Sequence, residues 1–342
     1  CTDARWDAVF HDPSSEAVDR VYSRRGGFLP DTMPFEAGRF GIMPVAARGA
    51  EPDQMLAVQV AADALDDAGL DRESLAGQCV GVILGRGGYL TPGLVRLNRK
   101  VREAEQLASV LRELAPELDP AVVAQIKSRV QDQAGPYGPD TAIGLVPNLA
   151  ASRIANRLDL NGPAYTVDAA CASALIAVEH AVRELRSGRC DVVLAGGVHL
   201  SPDITFWSVF AQLGALSRTG RLAAFDQSAD GLVIGEGIGM LALKRLDRAE
   251  ADGDRIYAVL RGVGSASDGR AASVMVPRVA GQVLALQRAW KDSGVDPATL
   301  GLIEAHGTGT SAGDSAELRT LTEVFGDGPE AVLGSVKSNI GH

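Results

Sequence analysis

Between Ala164 and Val198 the sequence reads strand, small-residue turn, helix, strand: Ala164–Val167, the turn Asp168–Cys171, an amphipathic stretch Ala172–Arg186, then the apolar run Asp191–Val198. Two strands joined by a crossover helix run parallel, and parallel strands are covered by helices on both faces, so this stretch commits the chain to an α/β fold. The alternation continues on either side. Helical periodicity over Asp53–Ala68 stops at Gly69, a C-cap residue, ahead of the strand-like run Cys79–Leu84. A helix over Thr141–Arg157 precedes the crossover unit, and residues 203–228 are mixed. Strands are expected over Ile238–Lys244, Ile256–Gly264, Leu302–Ala305 and Val332–Val336, and helices over Gly281–Ser293 and Gly313–Phe325. Two charged amphipathic stretches, Arg96–Ala115 and Ala121–Gln133, separated by Pro116 and Pro120, interrupt the pattern and read as an excursion over the surface or over a neighbouring subunit. No residue-level repeat or low-complexity linker divides the chain.

The 342 residues, 46% hydrophobic and 22% charged, suffice for a large core. A formal net charge of -10 disfavours a protein that coats nucleic acid, which needs a basic footprint. No apolar run reaches membrane-spanning length, and Cys1–Trp6 do not form a basic segment leading into an apolar one, so a cytoplasmic protein without a membrane partner is expected. The four cysteines, Cys1, Cys79, Cys171 and Cys190, include no CxxC pair and have no histidine at metal spacing, so neither a metal site nor a disulfide framework is expected. Cys79 and Cys190 open apolar runs and read as small buried hydrophobes.

Cys171 has a different setting. It lies at a strand-to-helix turn among small side chains, which let the backbone bend and a substrate approach. Orphan N–H groups and the positive end of the helix dipole favour a thiolate there and can hold an oxyanion. Taken alone, the pattern also suits a buried structural thiol. His306 and His342 each sit in a loop after an apolar strand, where ligand-contacting residues of open α/β sheets gather, so they are candidates to share one pocket with Cys171. His11, His180 and His199 read as satisfied or surface histidines.

Three separated motifs, DAACASAL around Cys171, EAHGTGT around His306 and VKSNIGH ending at His342, occur in that order, with FDQSADGLVIGEG from Phe225 to Gly237 between the first two. On these residues the chain resembles, over nearly its whole length, the β-ketoacyl synthases (ketosynthases) of the thiolase-like superfamily, of the polyketide or polyunsaturated fatty acid synthase type. The resemblance implies a layered αβαβα fold of two similar halves within one ketosynthase domain, 1–342. The N-terminal half would span about 1–245 with a helical insertion near 96–133, and the C-terminal half, 246–342, would be incomplete. The family domain extends further at both ends, so the resemblance implies truncation there, with the loss of a glycine-rich loop that supplies an oxyanion N–H.

The implied activity is decarboxylative Claisen condensation of a Cys171-bound acyl chain with malonyl-carrier protein. His306 and His342 would jointly stabilise the enolate of the extender, with His306 the one to handle a proton or activate a water, Lys337 would position or polarise His306, and Thr308 and Thr310 would hydrogen-bond the pantetheine arm or stabilise their own loop. Asp314 and Glu317 read instead as N-terminal helix charges, and Asp226, Glu236, Gly235, Gly237 and Gly239 as shaping the turn and strand beneath the site. The GEGIG run lacks the spacing of a dinucleotide fingerprint. The resemblance implies no directly bound cofactor, since substrates arrive on the phosphopantetheine of an acyl carrier protein. It also implies a homodimer joined through its core sheets and other domains of a multidomain synthase as partners. The segment Ser265–Gln282 and the helical insertion look more like iterative polyunsaturated fatty acid or enediyne synthases than modular polyketide synthases. Three alternatives compete: a CoA-dependent thiolase, which uses a second cysteine; a starter enzyme, which carries Asn where His342 stands; and a non-catalytic docking module.

Overall fold

A computed structural model describes residues 2–30, 35–200, 203–271, 273–326, 328 and 331–342; Cys1 lies outside them. Among the described residues the strands form three sheets. The central one has the order Ala164–Val167, Val80–Gly85, Val192–His199, Gly237–Lys244, the first three parallel and the last antiparallel to its neighbour. Alternation along Val80–Gly85 sends Val80, Val82 and Leu84 into a core shared with Val58, Ala61 and Ile154, from the helices Pro52–Asp67 and Leu149–Leu158. Ile83 points the other way, onto Ala177, Ala181 and Leu185 of the helix Ser173–Arg186. With both faces covered, the strand is apolar at every position that carries a side chain, which accounts for the unbroken hydrophobic run.

Several boundaries follow from local chemistry. Pro52 sits in the first turn of its helix, where its missing N–H is no loss, and Gly69 takes a positive φ of 67° just past the end. The expected helix Thr141–Arg157 is two helices, Pro139–Gly144 and Leu149–Leu158, because Pro147 removes a backbone donor at the break. Asn148 then serves the free edge of the central sheet: its Oδ1 accepts from Thr166 N at 2.9 Å and its Nδ2 donates to Ala164 O at 3.2 Å. The charged excursion is a helical hairpin. One arm runs from Pro92 to Leu114 with a π turn at Arg99–Glu103, the other is Pro120–Gln133, and Lys100 and Gln131 join them by reciprocal side-chain to carbonyl bonds.

The C-terminal part pairs Leu302–Glu304 with Val332–Gly334 in parallel and packs the helices Val279–Ser293 and Ser311–Phe325 together, with Trp290 edge-on to Phe325. The strand expected over Ile256–Gly264 is not formed among the described residues. That segment runs along the helix Val279–Ser293, where Gly262 and Gly264 allow close contact with the backbone at Ala289, and Val263 N donates to Asp292 Oδ2. A strand needs a ladder partner as well as apolar residues, and periodicity reports only the second. No helix among the described residues is long and apolar enough to cross a membrane.

The strand ends and the helix Ser173–Arg186 approach closely only because Gly85 and Gly197 lack side chains. A methyl at Gly85 would overlap the backbone of Ser173 and Ala174, and one at Gly197 would come within 2.8 Å of the Ala174 Cβ. Gly85→Ala should therefore lose about 1–3 kcal/mol of stability in equilibrium urea unfolding. Gly237→Ala, where an added methyl meets nothing within 4 Å, is the comparison, and equal losses in the two variants would contradict the close approach.

Candidate active site

Cys171 projects from the turn between the strand Ala164–Val167 and the helix Ser173–Arg186. The turn is fastened on both sides. Asp168 accepts from Ala170 N and from Gly88 N, and the Ser173 hydroxyl donates to Ala170 O while accepting from Ala169 N. These bonds hold Ala170 at φ 49°, a left-handed conformation that costs a residue with a Cβ about 1–2 kcal/mol. The strain sits one residue before the thiol and presents it at the end of the sheet.

His306 arrives from the loop after Leu302–Glu304. Glu317, on the helix Ser311–Phe325, accepts from His306 N at 2.7 Å and Gly307 N at 2.8 Å. Asp314, 5% exposed, accepts from Phe225 N at 2.7 Å and Gly309 N at 3.1 Å. These carboxylates thus do more than sit in a helix's first turns: they fix the EAHGTGT loop to its helix and to the FDQSADG segment. His342 is placed by its backbone, which donates to Val233 O at 2.7 Å and accepts from Gly235 N at 2.8 Å. Gly235 permits this, since an added methyl would meet Ile340 O at 2.5 Å. Glu236 accepts from Leu29 N, and Asp226 accepts from the Ser228 hydroxyl and N–H, so both acidic residues brace backbone.

The three side chains meet. His342 Nε2 lies 3.3 Å from Cys171 Sγ, the His306 and His342 rings stand nearly perpendicular with centroids 5.1 Å apart, and one ligand atom from each of the three lies within 4.8 Å of the others. Thr308 and Thr310 hydrogen-bond each other through their hydroxyls at 2.9 Å, with Thr308 buried. Lys337, on the short helix Lys337–Ile340, lies within electrostatic reach of all three cluster members.

One side of Cys171 opens to solvent, yet burial among the facing elements pushes its thiol above the usual range, and its own backbone N–H and Lys337 pull it back only in part. The resting sulfur is therefore a thiol, although a helix N-terminus alone favours the thiolate. Burial depresses His306, helped by Lys337, and takes His342 down to about 4, helped by His306, Lys337 and His199. Both imidazoles are neutral at neutral pH.

His199, read from sequence as a bland strand-end histidine, is the residue that reading missed. It packs on Phe206 with ring centroids 5.1 Å apart, is itself depressed by burial, and adds to the field at His342. The signal was present, since His199 ends an apolar strand just as His306 and His342 follow one. His180 is satisfied by the Tyr165 hydroxyl at 3.2 Å, and His11 makes a backbone bridge to Val21.

Two outcomes follow from this arrangement. Glu317→Ala leaves the His306 and Gly307 N–H groups without their acceptor and should cost about 1–3 kcal/mol in urea unfolding. For His342 the unfolded imidazole titrates near 6.5 and the folded one near 4, so between these values the unfolded chain binds more protons and stability rises with pH. The contribution is complete above 6.5 and is lost as pH falls through 4. Thermal midpoints measured across that window should fall less steeply in His342→Gln; parallel profiles would remove His342 as the cause.

The geometry agrees with what the chain is similar to. The family models described as Beta-ketoacyl synthase, N-terminal domain, and Beta-ketoacyl synthase, C-terminal domain, match residues 1–249 and 257–342. A mycocerosic acid synthase-like polyketide synthase of Mycolicibacterium smegmatis is 39% identical over 340 residues, covering 99% of this chain and 14% of that protein. A polyunsaturated fatty acid synthase protein of Thraustochytrium is 37% identical, covering 98% and 12%. Among solved structures, an oxazolomycin ketosynthase domain of Streptomyces albus superposes with a TM-score of 0.81 at 33% identity, covering 99% of this chain and 53% of that one. The ketosynthase of module 6 of the Bacillus subtilis bacillaene synthase gives 0.78 at 30%, covering 100% and 52%. The chain thus spans about half of the solved domains and a small fraction of the curated relatives. It has the thiolase-like α/β fold of those ketosynthases and belongs to the β-ketoacyl synthase family.

Proposed function

We propose that this chain is the ketosynthase portion of a multidomain polyketide or fatty acid synthase and joins acyl units by decarboxylative Claisen condensation. The observation that carries the reading is the meeting of one thiol and two neutral imidazoles, from three distant segments, at an opening to solvent. The thiol is protonated at rest, so attack on an incoming acyl thioester needs an acceptor for its proton, and His342 Nε2 at 3.3 Å is in place to take it. The carrier's phosphopantetheine sulfur leaves with the proton that His342 took, which returns His342 to its neutral form, and Cys171 holds the acyl group. The two imidazoles, neutral at working pH, then serve as N–H donors to the thioester oxygen of a malonyl extender as it gains charge on loss of carbon dioxide. The enolate carbon attacks the Cys171 thioester, the bond from the acyl carbon to sulfur breaks, Cys171 leaves and is reprotonated from solvent, and the 3-ketoacyl chain leaves on the carrier.

In this reading Lys337 sets the potential over the whole cluster rather than serving His306 alone. Thr308 and Thr310 present hydroxyls to the pantetheine arm beyond the bond they make to each other. The class is that of an acyltransferase forming carbon–carbon bonds, with an acyl carrier protein as partner, no directly bound cofactor and a cytoplasmic site of action. The domain would divide near residue 245, carry the helical insertion in its first half and work as a homodimer.

Mass spectrometry of the full chain after incubation with an acyl-carrier protein tests the nucleophile. One acyl adduct per chain is expected for wild type and none for Cys171→Ala, and an adduct that persists in the variant would overturn the assignment. Carbon dioxide release from malonyl-carrier protein should drop by about a hundredfold or more in His306→Ala or His342→Ala, the usual scale for losing one oxyanion donor.

A further inference from the structure

Cys171, His306 and His342 also form a donor set of a different kind. A thiolate and two imidazoles are the ligands that suit a soft or borderline divalent cation, and three protein ligands with one open position make an accessible tetrahedral site. Bond lengths of about 2.3 Å to sulfur and about 2.0 Å to nitrogen place such donors roughly 3.5 Å apart. His342 Nε2 and Cys171 Sγ already stand 3.3 Å apart, and no pair of donors in the cluster exceeds 4.8 Å. Harder cations are disfavoured, since the nearby carboxylates of Asp314 and Glu317 are engaged by backbone N–H groups and face their own loop. No metal spacing is visible in the sequence because the donors come from three segments that only the fold brings together.

We propose that the cluster is an inhibitory site for a divalent cation of the zinc class, held by the Cys171 thiolate and one nitrogen each of His306 and His342, with water in the fourth position. On binding, the Cys171 thiol releases its proton to solvent and the sulfur lone pair becomes a metal bond. The Lys337 charge opposes the ion, so the site binds less tightly than a closed structural zinc centre and gives the metal up to a chelator. The inhibition rests on the ketosynthase reading, because it matters only if Cys171 is the nucleophile; the binding does not.

The test uses the full chain, with zinc titrated against a chromophoric chelator and cobalt(II) as a spectroscopic probe. One zinc per chain is expected, together with a thiolate-to-cobalt charge-transfer band. Both should be lost in Cys171→Ser and be retained in His11→Ala. Zinc affinity should fall at least about tenfold in His306→Ala, since loss of even an outer-shell partner commonly costs that much. Zinc binding that persists in Cys171→Ser, or a cobalt complex without a thiolate band, would overturn the inference. A chain that binds zinc as described but takes no acyl group would count against the ketosynthase reading alone, and one that is acylated but binds no zinc against this inference alone.

Discussion

The architecture turns on one close approach, the start of the helix Ser173–Arg186 lying on the ends of Val80–Gly85 and Val192–His199. Glycine at 85 and 197 is what permits it, because a methyl at either position would occupy space already held by Ser173 or Ala174. With the helix so near, the connection from Ala164–Val167 has to bend within Asp168–Ala172, and Ala170 absorbs the bend at positive φ. The Asp168 and Ser173 hydrogen bonds keep the turn in that state. A packing requirement of the core is thereby converted into an exposed thiol at the end of the sheet.

The histidines are positioned by other means. The His306 loop is held by two carboxylates on the following helix, Glu317 at His306 N and Gly307 N and Asp314 at Gly309 N, and His342 by two backbone hydrogen bonds to the segment Val233–Gly235. In both cases the bonds engage backbone groups of the histidine's own segment. Burial then sets the charge state: imidazoles held neutral can donate to a developing oxyanion, and the same neutral nitrogens can be metal ligands. With the imidazoles neutral, the Lys337 ammonium is the charge that bears on all three cluster members, and its field favours an anion forming among them.

Much of the fold was legible in the residues. The crossover unit was readable because its strands are apolar runs ended by turns and its helix has a clear 3.6-residue period; Ala164–Val167 has the expected ends. Pro147 marked the break between two helices, but apolar spacing continues across it and hides the interruption. Ile256–Gly264 has the composition of a strand, and whether it pairs depends on a neighbour that composition does not report. The motifs pointed to Cys171, His306 and His342, whereas His199 belonged to no motif and was passed over.

The sequence by itself determined the α/β class, the chemical types available and the small residues needed where elements touch, because periodicity, side-chain chemistry and the absence of a Cβ are local properties. Tertiary structure alone decided that Cys171, His306 and His342 meet in one cluster, that Asp314 and Glu317 fasten a loop, and that the thiol is protonated while both rings are neutral. These depend on distance and on exclusion of water between residues far apart in the chain, and such quantities exist only once the chain has folded.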